Sequence, residues 1–173
     1  SSLGIYADQI PTDESNLAWQ AAQLVARACG EDPNVHIQID KAIPIAAGMA
    51  GGSADAAATL LACDAYWNAG IPREQLDAMA ATLGSDVPFM LHGGCALGVG
   101  RGEVLSPVMI RGNFHWVFAI FDEGLSTAQI YEKTDELRGL EFEDEPEVPT
   151  ELLSALARGD APALGRLLHN DLQ

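Results

Sequence analysis

A chain of 173 residues, 48% apolar and 20% charged, suits one domain with a real core, or one domain and part of a second. Nine Lys and Arg against 25 Asp and Glu give a formal charge of −16 without a visible basic patch, which argues against nucleic acid and anionic membranes as partners. No apolar run approaches the roughly 18 residues of a membrane span, and no signal-peptide pattern opens the chain. The three cysteines, Cys29, Cys63 and Cys95, are odd in number, widely spaced and set among small apolar residues. They are expected as free, buried thiols in a reducing, cytoplasmic setting. The missing initiator Met and the abrupt end at Gln173 set the expectation that the chain was cut from something longer.

The first element is "TDESNLAWQAAQLVARACG", which opens on capping residues, carries Leu17, Ala21, Leu24, Val25 and Ala28 on one face, and closes at Gly30. It reads as an amphipathic helix. "NVHIQID" alternates Val35, Ile37 and Ile39 with polar residues and reads as a half-buried strand. Pro44 interrupts that strand, a glycine loop follows, and an alanine-rich helix is expected from about Ser53 to before Gly70. "PREQLDAMAATLG" is a further helix, with Pro72 in its first turn and Gly84 at its close. After a turn at "SDVPF", the segments "MLHGGCALGVG", "VLSPVMI" and "HWVFAIF" read as strands, and helix returns at "TAQIYEKTDELR". The acidic, proline-containing stretch 139–149 is the linker candidate, followed by two short helical patterns. Helices and strands mix without regular alternation, so the fold class is α+β with a mainly antiparallel sheet.

The loop in "PIAAGMAGGSADAAATLLACDAYW", residues 44–67, has two readings. Gly48, Gly51 and Gly52 permit a tight strand-to-helix turn, which is sufficient reason for a glycine-rich loop. Alternatively, glycines running into a helix start make a phosphate cradle, because unpaired N–H groups point outward with the positive end of the dipole behind them. No Gly-Lys pair occurs in the chain, so the loop is not G-x-x-x-x-G-K-[ST], and it is not G-x-G-x-x-G. Three neighbours favour the cradle. Ser53 stands where an N-cap or phosphate-contacting hydroxyl belongs. Ala54, Ala56, Ala57 and Ala58 leave room for a bulky ligand. Lys41, one of two lysines in an acidic chain, precedes the loop. The histidines His36, His92, His115 and His169 are scattered and lack metal-ligand spacing.

The second stretch is "LGSDVPF", residues 83–89. Asp86 is by type a turn or cap residue. Beside a phosphate loop it gains another reading, since an acceptor hydroxyl must be oriented and must lose its proton in phosphoryl transfer.

Taken together, "KAIPIAAGMAGGSADAA", "LGSDVPF" and "HGGCALGVGRGE" resemble the 4-diphosphocytidyl-2-C-methyl-D-erythritol kinases of the GHMP small-molecule kinase superfamily. The resemblance runs in order from "PTDESNLAWQAA" through "GLSTAQIYEKTDELR" to "HNDLQ". It implies the GHMP kinase fold, ATP with Mg²⁺, and transfer of the γ-phosphate to the 2-hydroxyl of 4-diphosphocytidyl-2-C-methyl-D-erythritol in non-mevalonate isoprenoid synthesis. By the same resemblance Ala47, Gly48, Met49, Ala50, Gly51, Gly52 and Ser53 would wrap the ATP phosphates, with Asp55 in the first turn of the helix. Asn16 and Lys41 would line the nucleotide pocket, Asp86 would be the catalytic aspartate, and Thr127 would contact the methylerythritol substrate. The chain departs from the family at Ala46 or Ala47 for Gly, Met49 for Leu, and Ala54 for a second Ser. The family's opening strands, with a lysine that pairs with the catalytic aspartate and a segment that holds cytosine, and its later glycine-serine motif find no match here. The implied organisation is a nucleotide-binding domain at 1–138 lacking its first strands, a linker at 139–149, and the start of a substrate domain at 150–173. Two rivals stand beside it: another GHMP kinase of the mevalonate, homoserine or galactose type, and a non-catalytic nucleotide-binding protein.

Overall fold

The computed structural model describes residues 10–43, 48–118, 127–138 and 148–170. The chain divides into two compact units, Ser1–Ser106 and Pro107–Gln173. The expected linker falls almost wholly on 139–147, which lie outside the described residues.

In the first unit, α1 (Leu17–Cys29) begins where the Asn16 side-chain oxygen accepts a hydrogen bond from the Ala18 N–H at 2.9 Å. It ends at Gly30, whose φ of 74° lets its N–H reach Ala26 O. Its buried stripe is Ala18, Ala21, Ala22, Val25 and Ala26. Leu24 and Ala28, expected on that stripe, are half-buried and exposed. The helix is rotated because it packs on α2 (Gly51–Tyr66), and α2 presents Ala56 and Ala57 with Leu60 and Cys63. Methyl groups facing methyl groups allow closer approach than leucine would.

α3 (Arg73–Leu83) adds Leu76 and Ala80 to this core, and α4 (Val87–His92) adds Val87, Pro88 and Leu91. Leu60, Val25 and Val87 are the largest fully buried side chains. Each contributes on the order of 1.5–3 kcal/mol by its removal from water. β1 (Ala96–Val99) and β2 (Val104–Pro107) form a two-stranded sheet. A four-residue connection makes the pair antiparallel. A side chain on Gly98 would stand 3.2 Å from the Gly102 backbone, so the hairpin closes tightly there.

The architecture is α+β, and several local expectations change. Val35, Ile37 and Ile39 are half-buried and alternate with exposed neighbours, as the pattern requires, but 34–40 joins no ladder among the described residues. The pattern specifies which face is inward, whereas a strand also needs a partner backbone. Residues 87–92, expected as a turn running into a strand, are helical. Pro88 fits the first turn, and Val87 with Leu91 bury one face at helical spacing. The strand expected at "HWVFAIF" has no ladder at 115–118, and its remainder lies outside the described residues.

In the second unit, α5 (Thr127–Arg138), α6 (Thr150–Arg158) and α7 (Ala161–Leu167) match the three helical patterns. Asp160 caps α7 by accepting from the Ala163 N–H at 2.9 Å. The Arg111 N–H donates to Leu156 O at 3.0 Å, and a Cβ on Gly159 would lie 2.7 Å from Arg111 O. Glycine is required where these backbones meet. Among the described residues of this unit Ala155 and Leu164 are the buried apolar ones, while Trp116, Val117 and Phe118 are exposed.

Candidate functional site

The glycine loop arrives at α2 through two left-handed residues, Gly48 with φ 66° and Ala50 with φ 49°. Ala50, not Ser53, is the N-cap, and it offers no side-chain hydrogen bond. Ser53 is the third residue of the helix. The first intrahelical bond runs from the Ala54 N–H to Ala50 O at 2.9 Å. The N–H groups of Gly51, Gly52 and Ser53 therefore stand outside the helical ladder at the positive end of a 16-residue helix. The hydroxyl of Ser53 shares that end.

The two adjacent glycines differ. A Cβ on Gly51 would lie 3.1 Å from Lys41 Nζ and 3.2 Å from Ile43 Cγ2, so the chain entering the loop packs directly over it. Among the described residues a Cβ on Gly52 would meet only Leu17 Cδ1 at 3.9 Å, and Gly52 is exposed. Gly51 is needed by the protein's own packing, while bare backbone at Gly52 is required by no contact among the described residues.

Lys41 donates to Asp55 Oδ2, and both side chains are largely covered, at 17% and 28% exposure. Lys41, Gly51 and Asp55 are thus one assembly: the ammonium sits over the start of α2, neutralised by a carboxylate from its next turn. Asn16 is engaged at both ends of its amide, since Nδ2 donates to Pro11 O at 2.7 Å while Oδ1 caps α1. Leu17, the next residue, is the neighbour of Gly52. Met49 is half-buried beside Ala50, and Ala47 lies outside the described residues.

Asp86 is the residue before α4, exposed, with no side-chain cap bond and no ion pair among the described residues. Its backbone oxygen accepts from Met90 N–H at 3.1 Å, so its main chain is fixed while its carboxylate is free. α4 packs on α2 and α3, which holds the acidic corner on the same helical core as the loop. Thr127 begins α5 in the second unit.

Two features had no strong sequence signal. A groove of about 590 Å³ runs between residues 34–40 and the α2 face carrying Asp55, Ala58, Thr59, Ala62, Cys63 and Tyr66. Burial pushes the Cys63 thiol up from its ordinary value, with a further rise from Cys29. The second feature is Asp77, approached by His92 Nε2 at 3.1 Å and Arg73 Nε at 3.4 Å. The i,i+4 spacing of Arg73 and Asp77 is readable in the sequence, but His92 comes from another helix. The three cysteines are free, with Cys63 buried and the other two half-buried. Among the described residues no helix is long and apolar enough to cross a membrane.

Residues 16–94 match the family model described as GHMP kinases N terminal domain. That stretch is similar to the N-terminal domain of GHMP kinases. The matched stretch begins at the Asn16 cap and ends just after α4, so it contains the glycine loop, Lys41, Asp55 and Asp86. The chain is 55% identical over 174 residues to a Mycolicibacterium gilvum protein named 4-diphosphocytidyl-2-C-methyl-D-erythritol kinase, covering 99% of this chain and 54% of the relative. A Mycobacterium tuberculosis protein of the same name is 55% identical over 173 residues, with the same coverage. A crystal structure of 4-(cytidine 5'-diphospho)-2C-methyl-D-erythritol kinase superimposes with a TM-score of 0.66 at 34% identity, covering 94% of this chain and 56% of that one. The chain spans about half the length of the curated relatives it matches.

Proposed function

We propose that this chain is the nucleotide-handling part of an ATP-dependent kinase that phosphorylates the 2-hydroxyl of 4-diphosphocytidyl-2-C-methyl-D-erythritol. The observation that carries the ATP site is the amide end of α2, where Gly52 is exposed and a Cβ on it would meet only Leu17 among the described residues. The acceptor is taken from the relatives, which are 55% identical over 99% of the chain.

In this reading the N–H groups from Gly48 to Ser53 hold the phosphates of ATP, and each charge-assisted contact contributes roughly 1.5–3 kcal/mol. Several together replace the lysine of a Walker loop. Lys41, held by Asp55, adds positive potential at the same end, and Leu17, which follows Asn16, stands beside Gly52. The Asp86 carboxylate accepts the proton of the acceptor hydroxyl as its oxygen bonds to the γ-phosphorus and the bond to ADP breaks. Thr127 contributes on the acceptor side. Among the described residues no three His, Cys, Asp or Glu side chains group to hold a metal ion. Mg²⁺ arriving with ATP would supply charge neutralisation at the phosphates.

The whole reaction belongs to a full-length protein of about twice this length, and the present chain alone is expected to show little or no transfer, because pre-organised geometry supplies much of the barrier reduction. The test is phosphate transfer by the full-length protein from ATP to a panel of alcohols, with products followed by mass. Product from 4-diphosphocytidyl-2-C-methyl-D-erythritol supports the assignment. Preferential turnover of mevalonate, homoserine or galactose overturns the acceptor, and nucleotide binding without transfer to any alcohol overturns the enzyme.

A further inference from the structure

The turn that carries Asp86 is a corner between two packed helices, closed at both ends. At the near end the Val87 N–H donates to Gly84 O at 3.2 Å, directly across Ser85 and Asp86. At the far end the last residue of α4, His92, places Nε2 3.1 Å from Asp77 Oδ1 on α3. Arg73, one turn earlier on α3, brings Nε to 3.4 Å from the same oxygen. Among the described residues that oxygen is sealed from solvent and receives no aligned hydrogen bond; the Arg73 guanidinium is the positive charge near it and the His92 ring is the closer nitrogen. A covered carboxylate oxygen without a donor is costly, and losing one of its two nitrogens makes it costlier.

α4 has six residues, and Val87, Pro88 and Leu91 anchor one side of it in the core. The His92 to Asp77 contact ties the C-terminal end of this short helix to α3, and Asp86 directly precedes the helix with no side-chain cap bond of its own. We propose that Asp77 and His92 are positioning residues that clasp α4 to α3 and so set the direction of the Asp86 carboxylate toward the acceptor. The proposal rests on the reading of Asp86 as the group that acts on the acceptor hydroxyl.

The test uses the full-length protein with His92→Ala, Asp77→Ala, the double variant, and His92→Gln, whose amide N–H has a reach similar to that of the imidazole. Thermal unfolding checks that each is folded. Each alanine variant is expected to lower kcat about tenfold, the scale of a small misplacement of a reacting group, while KM for ATP stays within about twofold. The double variant should be no worse than either single one, because both remove the same contact, and His92→Gln should keep most of the parental kcat. A His92→Ala kcat within about twofold of the parent, losses that multiply in the double variant, or a His92→Gln as impaired as His92→Ala overturns the proposal. Asp86→Asn is measured in parallel. If it keeps parental turnover, the reading of Asp86 falls and this proposal with it; if it loses turnover while His92→Ala does not, this proposal alone falls.

Discussion

At the start of α2 the backbone is braced from above by Lys41 and Ile43, which crowd Gly51, and the Lys41 to Asp55 ion pair ties the incoming chain to the helix. At the α3–α4 corner Asp86 stands exposed with no side-chain bond, and only its main chain is fixed. The two places differ in what holds the functional group. On the proposed function the loop acts through backbone amides, so packing and ligand binding would share the same atoms. At the corner the proposed group is a side chain, so its chemistry could be removed without touching the fold.

The largest expected effect separates these two at once. Asp86→Asn keeps the size and removes the charge, so kcat of the full-length protein should fall by about 10³, near the middle of what positioned general bases contribute. ATP affinity and unfolding midpoint should stay at parental values, and a parallel loss of ATP binding would break the division of labour. Gly51→Val is expected to fail in the opposite manner. A branched side chain there meets Lys41 Nζ and Ile43, so stability in urea should drop by about 1–3 kcal/mol, the usual cost of overpacking, with ATP affinity falling alongside it.

Gly52→Ala sharpens the comparison inside the loop. Its Cβ has room within the protein, so stability should hold or rise slightly with the gain in helix propensity, while ATP affinity measured by calorimetry falls about tenfold, or about 1.4 kcal/mol. Unchanged affinity would mean that the bare backbone at Gly52 faces no phosphate. The smallest effect is at Ala50, whose φ of 49° is strained for any residue with a side chain. Ala50→Gly should stabilise the fold by about 0.5 kcal/mol in urea denaturation, the strain relieved being partly offset by the greater freedom of glycine when unfolded.

The sequence made the helices visible because caps and apolar spacing are local: α1 opens among the capping residues and closes at Gly30 as read, and α5 to α7 match their patterns. What it did not show depends on distant residues. The inward face of 34–40 was readable from alternation, but ladder formation requires a partner backbone. The stripe of α1 was read around Leu24, whereas alanines on α2 draw Ala18, Ala22 and Ala26 inward. Gly51 and Gly52 looked like loop because glycine forms helix poorly, and they are helical because the helix is held by packing rather than propensity. "VPFMLH" is a short apolar run of the kind in which strand and helix cannot be told apart by pattern. In the candidate site, the glycines, Lys41 and Asp86 were legible as residue types, but the reason for each was not: only the structure separates Gly51, crowded by Lys41, from Gly52, where a Cβ would meet only Leu17 among the described residues.

The most direct test of the account is a titration of the full-length protein, labelled at glycine for amide resonances, with ATP in the absence of acceptor. The amides of Gly48, Gly51 and Gly52 should shift most, and they should shift equally in Asp86→Asn, if the phosphates are held at the start of α2 and the carboxylate acts elsewhere as proposed. Still resonances at these three glycines, with movement instead at Gly93 and Gly94 beyond α4, would contradict the placement of ATP on the amide end of α2.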